Sequence, residues 1–141
     1  MRSQAVLIRE SFDMVAEAPN AIVKLFYGRL FELDPTLRPM FKTDITEQVS
    51  KLVATLQIVV DHVEQPLALL PALHELGRKH ATYGTLPAHY DTVRQALLWA
   101  LGQALQPNFD KETRAAWDGV LSWISSEMIA AAENTNGRRE S

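Results

Sequence analysis

The 141-residue sequence contains no cysteine. Without thiols, a disulfide framework, a Cys-ligated zinc ion, an iron–sulfur cluster and a thiol nucleophile are all excluded. A chain of this size buries about 68–70% of the surface that its unfolded form exposes, so it can form a hydrophobic core without such crosslinks. We therefore expect one domain with room for one enclosed ligand site.

An excess of positive charge and a long apolar run are also missing. The 14 Lys+Arg and 17 Asp+Glu residues give a formal net charge of −3 and form no long block of one sign, so we expect no nucleic-acid partner. The longest apolar stretch, Leu52 to Val60, is interrupted by Thr55 and Gln57. It is too short for a membrane span, and charged residues occupy the place of a signal-peptide core. These features predict a soluble cytoplasmic protein with no membrane partner.

Apolar residues recur at helical spacing along most of the chain, and no segment of strand length alternates with a period of two. The pattern predicts helices over about residues 3–18, from Pro19 to Asp34, from Pro35 to Met40, from an N-cap at Thr46 to about Glu64, from Pro71 to Gly84, from Pro87 to Pro107, and from a cap at Asp110 onward. The predicted fold class is all-α. We predict one helical domain over residues 1–133 and a frayed polar tail over residues 134–141.

His80 is the polar residue that interrupts the apolar pattern most clearly. It continues the stripe of Leu73, Leu76 and Gly77 on the helix that follows Pro71. An inward imidazole needs a partner, and a lone histidine on such a face is more often a core residue bonded to a carbonyl or hydroxyl than a ligand. Gly77 lacks a side chain one turn before His80, where a flat cofactor would approach the backbone. Periodicity alone leaves both interpretations of His80 open.

Two further polar residues lie on apolar faces. Tyr27 is on a helix that is apolar on two sides, so its hydroxyl either bonds to a neighbour or faces a cavity. Gln48 heads the face of Leu52 and Thr55, and an inward and a solvated position fit the pattern equally well. The remaining histidines form no metal-ligand spacing and are interpreted as surface residues, namely His62, His74 and His89. No catalytic triad or phosphate-binding glycine loop is present, so no catalytic residue is predicted.

Several short motifs share a distinctive spacing: Phe26-Tyr27, Pro39-Met40-Phe41, Leu76-Gly77-Arg78-Lys79-His80 and Ala88-His89-Tyr90. A tyrosine stands fourteen residues before a phenylalanine, a glutamine seven after it, a leucine four further on, and a histidine ten before a tyrosine. These motifs resemble the globin family, and most closely bacterial single-domain haemoglobins and the haem domain of flavohaemoglobins. The resemblance spans nearly the whole chain and implies the globin fold, with helices packed around a haem pocket.

On one side of the pocket, the resemblance implies haem b with His80 as the proximal ligand of its iron and Tyr90 nearby as a cofactor-binding residue. Relatives of this type link the histidine to a tyrosine and a glutamate, which makes the imidazole a stronger electron donor. Counting from Trp117 places Ala132 at the position of the glutamate and Glu133 one residue later. Glu133 is therefore left out of the predicted site.

On the other side of the pocket, the resemblance implies that Tyr27 and Gln48 hydrogen-bond dioxygen. Leu52 would crowd the sixth position of the iron and also contact the cofactor, and Phe41 would pack on the porphyrin. Gln48 stands where animal globins commonly have a histidine. Because the simplest route to coordination by two histidines is then closed, we expect a five-coordinate ferrous resting state.

The function implied by the resemblance is reversible binding of dioxygen, and of carbon monoxide and nitric oxide, for oxygen transport or storage. Nitric oxide dioxygenase activity is a second implied role, which leaves open whether the protein is an enzyme. The sequence has no Gly-rich dinucleotide motif, so we expect a separate reductase to supply the electrons. The alternative is a haem-based gas sensor that acts through a partner protein.

Overall fold

The computed structural model describes the backbone of residues 3–17, 19–40, 45–82, 85–106 and 108–140. Among these, the side chains of residues 19, 20, 40, 45–50, 52 and 134–140 are outside the described part. The predicted closing glycine, Gly84, and the predicted stop, Pro107, also lie outside it. The described part of the chain is helical and contains no strand, which confirms the all-α prediction.

Six α-helices and two short 3-10 helices make up the described residues. In chain order they are α1 (Gln4–Glu17), α2 (Pro19–Leu33), a first 3-10 helix (Pro35–Met40), α3 (Ile45–Asp61), a second 3-10 helix (Pro66–Leu69), α4 (Leu70–Thr82), α5 (Pro87–Leu105) and α6 (Lys111–Glu140). Prolines open α2 and α5 as predicted, because proline fits the first turn of a helix, where its missing N–H is not needed.

The helix boundaries agree with the sequence prediction except at two helices. Helix α3 begins at Ile45, before the predicted N-cap Thr46, and it ends at Asp61, since a turn already occupies residues 62–64. Helix α6 begins after Asp110, whose Oδ1 accepts a 2.8 Å hydrogen bond from the backbone N–H of Thr113, as a cap does. The backbone of α6 stays helical through Glu140, beyond the predicted end of the domain at residue 133. The domain division itself remains a prediction.

The larger of two hydrophobic clusters lies between α1, α2, α5 and the first half of α6. Its largest fully buried side chains are Trp117, Phe12, Ile8, Leu30, Leu98 and Leu101. The indole N–H of Trp117 donates a 2.8 Å hydrogen bond to Ser11 Oγ, and the Ser11 hydroxyl donates to the carbonyl of Leu7 at 2.7 Å. This chain of bonds pairs the Trp117 indole N–H and the Ser11 hydroxyl inside the core, where an unpaired polar group would cost stability.

The smaller cluster joins α4 to the second half of α6 and contains Val59, Leu69, Leu73 and Met128. Gly77 of α4 lies directly against the backbone of Met128: a Cβ at position 77 would be 2.3 Å from the Met128 carbonyl oxygen and 2.7 Å from its Cα. Our interpretation that Gly77 makes room for a flat cofactor is therefore wrong. The missing side chain lets two helix backbones approach each other closely.

Replacing Gly77 with alanine should therefore destabilise the protein. The added Cβ meets backbone atoms of α6, which cannot rotate away, so we expect the free energy of unfolding to fall by about 1–3 kcal/mol, as for other overpacked sites. Urea denaturation of the haem-loaded protein measures the change.

Gly28→Ala is the matched control, because a Cβ at that position of α2 would meet no described atom within 4 Å other than those of its chain neighbours and the adjacent backbone of its own helix. There the same substitution should leave stability unchanged or raise it by about 0.5–1 kcal/mol, since alanine favours a helix more than glycine does. Equal stabilities for the two variants would contradict the close approach at Gly77.

Candidate functional site

The two central residues of the predicted site lie on helices that belong to different clusters. Tyr27 is on α2, which packs mainly against α5 and the first 3-10 helix and belongs to the larger cluster. His80 is on α4, whose extensive contacts within the described ranges are with α6 and the second 3-10 helix. A ligand held by both residues would lie between the two clusters.

The ring of His80 is partly buried and is fixed by its own helix. Its Nδ1 lies 2.7 Å from the carbonyl oxygen of Leu76, one turn earlier. A carbonyl only accepts hydrogen bonds, so Nδ1 carries the proton and the lone pair of the neutral ring is on Nε2. The Leu76 carbonyl is the hydrogen-bond partner that a core histidine needs. The same bond favours the tautomer in which Nε2 is available to ligate a metal. Both interpretations of His80 therefore fit its local geometry.

Tyr90 lies beside His80, as the resemblance predicts. Their ring centroids are 6.2 Å apart and the rings are tilted by 35°. Tyr90 is partly buried against the smaller cluster, and this burial raises the pKa of its phenol. The phenol is therefore neutral at physiological pH.

The start of α5 is held by His89, the residue before Tyr90. The backbone N–H of Leu86 donates to His89 Nδ1 at 2.9 Å, and the backbone N–H of His89 donates to the Leu86 carbonyl at 2.9 Å. These reciprocal bonds satisfy N–H groups that a helix start otherwise leaves unpaired. We interpreted His89 as a surface residue, and it has this additional structural role at the base of the helix that carries Tyr90.

A cavity of about 250 Å³ adjoins Tyr90 and is lined by Ala81, Thr85, Leu86, Pro87, Tyr90, Ile129, Ala132 and Glu133. Leu86 and Ile129 were not among the predicted site residues. Leu86 is 58% exposed. Both Ala132 and Glu133 line the cavity with Tyr90, so the alanine at the counted position and the glutamate after it both adjoin this wall.

Tyr27 is buried, with 6% of its surface exposed. The ring of Phe26 meets it edge-on at 4.9 Å between centroids, and the ring of Phe31 stacks on it at 6.0 Å with an interplanar angle of 27°. Burial raises the pKa of Tyr27 to about 12. The phenol therefore stays protonated at physiological pH and can act as a hydrogen-bond donor.

The Phe31 ring is covered in turn by a cation. The guanidinium carbon of Arg38, on the first 3-10 helix, lies 5.2 Å from the centroid of Phe31. A second contact of the same kind joins Arg29 of α2 to Trp99 of α5, also at 5.2 Å. Both distances are within the range of a cation–π interaction.

Three predicted site residues cannot be placed. Phe41 lies outside the described residues, and the side chains of Gln48 and Leu52 on α3 lie outside the described part as well. Their roles remain predictions from the resemblance.

The other histidines occupy sites of their own. His62 Nδ1 bonds to the Ile58 carbonyl at 2.8 Å, and His74 Nε2 lies 3.1 Å from Glu127 Oε2, which links α4 to α6. In the described part of the chain, no cluster of three or more His, Asp or Glu side chains could hold a metal ion.

None of the described helices has the length and apolar character needed to cross a membrane.

The His80 imidazole and the Tyr27 phenol are too few to hold a metal ion by themselves, but they fit the needs of a haem. A haem supplies four nitrogen ligands itself, so a single imidazole in the His80 tautomer would be enough as the protein's ligand. A buried neutral phenol on a separate helix then suits an uncharged gas ligand. The fold is all-α, and these residues fit a prosthetic group held between helices.

Comparisons with known proteins agree with this class. The family model for globins matches residues 24–128. Neuroglobin of Danio rerio is 30% identical over 138 residues, which cover 86% of each chain. The flavohemoprotein of Xylella fastidiosa is 28% identical over 130 residues and 90% of this chain, but the chain spans only 32% of that relative's length. The chain belongs to the globin family, whose members bind haem and diatomic gases.

Solved structures show the same fold. A bacterial globin from Campylobacter jejuni superimposes with a TM-score of 0.83 at 21% identity and covers 95% of this chain and 97% of its own. An engineered carbene transferase from Rhodothermus marinus, a proposed nitric oxide dioxygenase, superimposes with a TM-score of 0.85 at 22% identity. The superposition covers 100% of this chain and 99% of that chain. The globin fold predicted from the resemblance is confirmed.

Proposed function

We propose that the protein binds haem b through His80 and holds dioxygen reversibly, with Tyr27 as the hydrogen-bond donor to the gas. The observation that carries this proposal is the buried, neutral phenol of Tyr27 on α2, a helix of the larger cluster, whereas His80 is on α4, which packs in the smaller cluster. Phe41, Leu52 and Tyr90 are proposed to surround the cofactor. Within this proposal the protein acts in the cytoplasm.

The bound haem supplies an iron that takes a diatomic gas as a ligand. His80 holds the cofactor through Nε2, while the Leu76 carbonyl fixes the plane of the ring through Nδ1. A hydrogen bond from Nδ1 to a carbonyl also makes the imidazole a better electron donor. Tyr90 packs beside the ring and limits its rotation.

Tyr27 would stabilise dioxygen by donating a hydrogen bond, because a ferrous haem would give the gas additional electron density. A donor to such an acceptor, in a pocket that excludes water, contributes about 1–3 kcal/mol. Gln48 is proposed as a second donor and Leu52 as the side chain that limits the space. Slow release of oxygen is the expected consequence.

Nitric oxide dioxygenase activity is the second candidate, and the names of two relatives favour it. One is a flavohemoprotein and one is a proposed nitric oxide dioxygenase. In this reaction one nitric oxide, one dioxygen and one electron would combine to nitrate, and a bound ferrous haem would supply the electron. Repeated turnover therefore needs an electron from a reductase, which we propose to be a separate protein.

A stopped-flow experiment tests both roles on the reduced, haem-loaded protein. We expect it to take up oxygen reversibly, and failure to do so contradicts the proposal. The oxygenated protein is then mixed with nitric oxide. Consumption of one nitric oxide per haem, with nitrate and ferric protein as the products, supports the dioxygenase. Oxygen uptake without nitric oxide consumption removes the dioxygenase and leaves the carrier.

A further inference from the structure

A stack of side chains connects Tyr27 to the protein surface. Phe31 lies four residues after Tyr27 on α2, and residues at this spacing share one face of a helix. The two rings stack at 6.0 Å, and the guanidinium of Arg38 lies over Phe31. Each member of the stack limits the movement of the next one inward.

We propose that Phe31 and Arg38 are positioning residues for Tyr27: Arg38 holds the Phe31 ring against the Tyr27 ring, which fixes the direction of the phenol hydroxyl. This inference rests on the proposed function, in which that hydroxyl meets the bound gas. Phe31 and Arg38 themselves do not need to contact the gas or the cofactor.

Two observations make Arg38 suitable for this role. Phe31 is only partly buried, and the guanidinium of Arg38 covers one face of its ring. A guanidinium is planar and weakly hydrated, and it stacks on aromatic rings while it remains exposed on its other face. Arg38 therefore holds the Phe31 ring at the surface, where apolar packing alone is incomplete.

The backbone that carries Arg38 is itself fixed to α2. The backbone N–H of Thr36 donates to Asp34 Oδ1 at 3.1 Å, and the N–H of Leu37 donates to the Asp34 carbonyl at 3.1 Å. The Leu37 side chain is buried in the larger cluster, with 3% of its surface exposed. The first 3-10 helix is thus anchored by Asp34 before its start and by the buried Leu37 within it, so Arg38 starts from a defined position relative to Phe31.

The chain offers a matched control for Arg38. Arg29 also covers an aromatic ring at 5.2 Å, but that ring is Trp99 of α5 rather than Phe31. Methionine keeps the apolar length of the arginine side chain and removes its charge. If covering a ring matters only for general stability, Arg38→Met and Arg29→Met should change the oxygen dissociation rate and the carbon monoxide stretching frequency to a similar extent.

The test measures the oxygen dissociation rate and the infrared stretching frequency of bound carbon monoxide in the haem-loaded protein. We expect Arg38→Met to quicken oxygen release about two- to fivefold, the range that an exposed cation–π contact can supply. The carbon monoxide band should broaden or shift, because the frequency reports the position of the nearby donor. Arg29→Met should change neither quantity, and Arg38→Lys, which keeps the charge, should restore part of the wild-type behaviour.

A double-mutant cycle separates this inference from the proposed function. In a Tyr27→Phe background there is no hydroxyl to position, so Arg38→Met should no longer alter oxygen release. If Tyr27→Phe alone leaves the rate unchanged, the proposed donor is wrong, and the inference is overturned with it. If Tyr27→Phe quickens release while Arg38→Met behaves like Arg29→Met, the donor is retained and the positioning role is overturned. Phe31→Leu adds a second variant, expected to act in the same direction as Arg38→Met.

Discussion

His80→Ala is expected to give a protein that loses its haem during purification or holds it far more weakly. The substitution removes the only protein bond that we propose to the iron. Because the loss of an outer-shell partner alone costs about 10- to 100-fold in affinity at metal sites, the loss of the ligand itself should cost more than roughly 100-fold. Hemin titration, followed through the visible absorption of the protein, measures the affinity.

His62→Ala is the matched control for this variant. His62 makes the same kind of bond as His80, from Nδ1 to the carbonyl of the residue four positions earlier, at 2.8 Å. It lies in the turn after α3 and outside the proposed site, so its removal should leave haem affinity unchanged. His80→Gly in the presence of free imidazole provides a rescue, because imidazole can occupy the vacated position. Normal haem retention and an unchanged ferrous spectrum in His80→Ala would exclude His80 as the ligand.

Tyr27→Phe is expected to quicken oxygen dissociation by roughly 5- to 140-fold, as follows from the loss of about 1–3 kcal/mol at tenfold per 1.4 kcal/mol. The substitution keeps the ring that packs between Phe26 and Phe31 and deletes only the hydroxyl. Stability should therefore change little, and the effect should be specific to oxygen. Stopped-flow displacement of oxygen by carbon monoxide measures the rate.

Tyr90→Phe makes the same chemical change on the opposite side of the proposed haem. Tyr90 packs beside His80, so its hydroxyl is not expected to meet the gas and the change in oxygen release should be much smaller. If Tyr27→Phe has no larger effect than Tyr90→Phe, then Gln48 or a water molecule is the main donor. That result would require a different account of the distal side.

Helix boundaries were largely predictable because local chemistry sets them. Pro19 and Pro87 open helices since proline has no N–H to lose there, and the Asp110 carboxylate caps α6 through the N–H of Thr113. The boundary at Thr46 was wrong because threonine fits inside a helix as well as at its cap. The choice between the two positions depends on contacts that a local pattern does not contain.

The role of Gly77 could not be predicted, because its reason lies on another helix. The residue shares a face with His80 in the sequence pattern, and only the position of the Met128 backbone shows why a side chain is excluded. The position of Arg38 over Phe31 could not be predicted either, because the contact joins two separate elements. An arginine in a short 3-10 helix carries no sequence signal for the ring that it covers.

The predicted site residues divide according to what the structure describes. Tyr27 was found to be buried, and Tyr90 lies next to His80, as the motif spacing predicts. The periodic pattern indicated inward positions for Tyr27 and His80, but their chemical roles came from the resemblance. The roles of Phe41, Gln48 and Leu52 rest on that resemblance alone. The wall formed by Leu86 and Ile129 was missed because isolated apolar residues do not stand out in a sequence.

The measurement that tests the central claim most directly is the visible absorption spectrum of the purified protein after hemin addition, then after reduction, then after addition of carbon monoxide. The account predicts a bound haem with a five-coordinate ferrous spectrum that changes to a six-coordinate one when carbon monoxide binds. A protein that takes up no hemin would contradict the claim that this chain binds a haem between its helices. A six-coordinate ferrous spectrum before carbon monoxide is added would contradict a gas site open beside Tyr27.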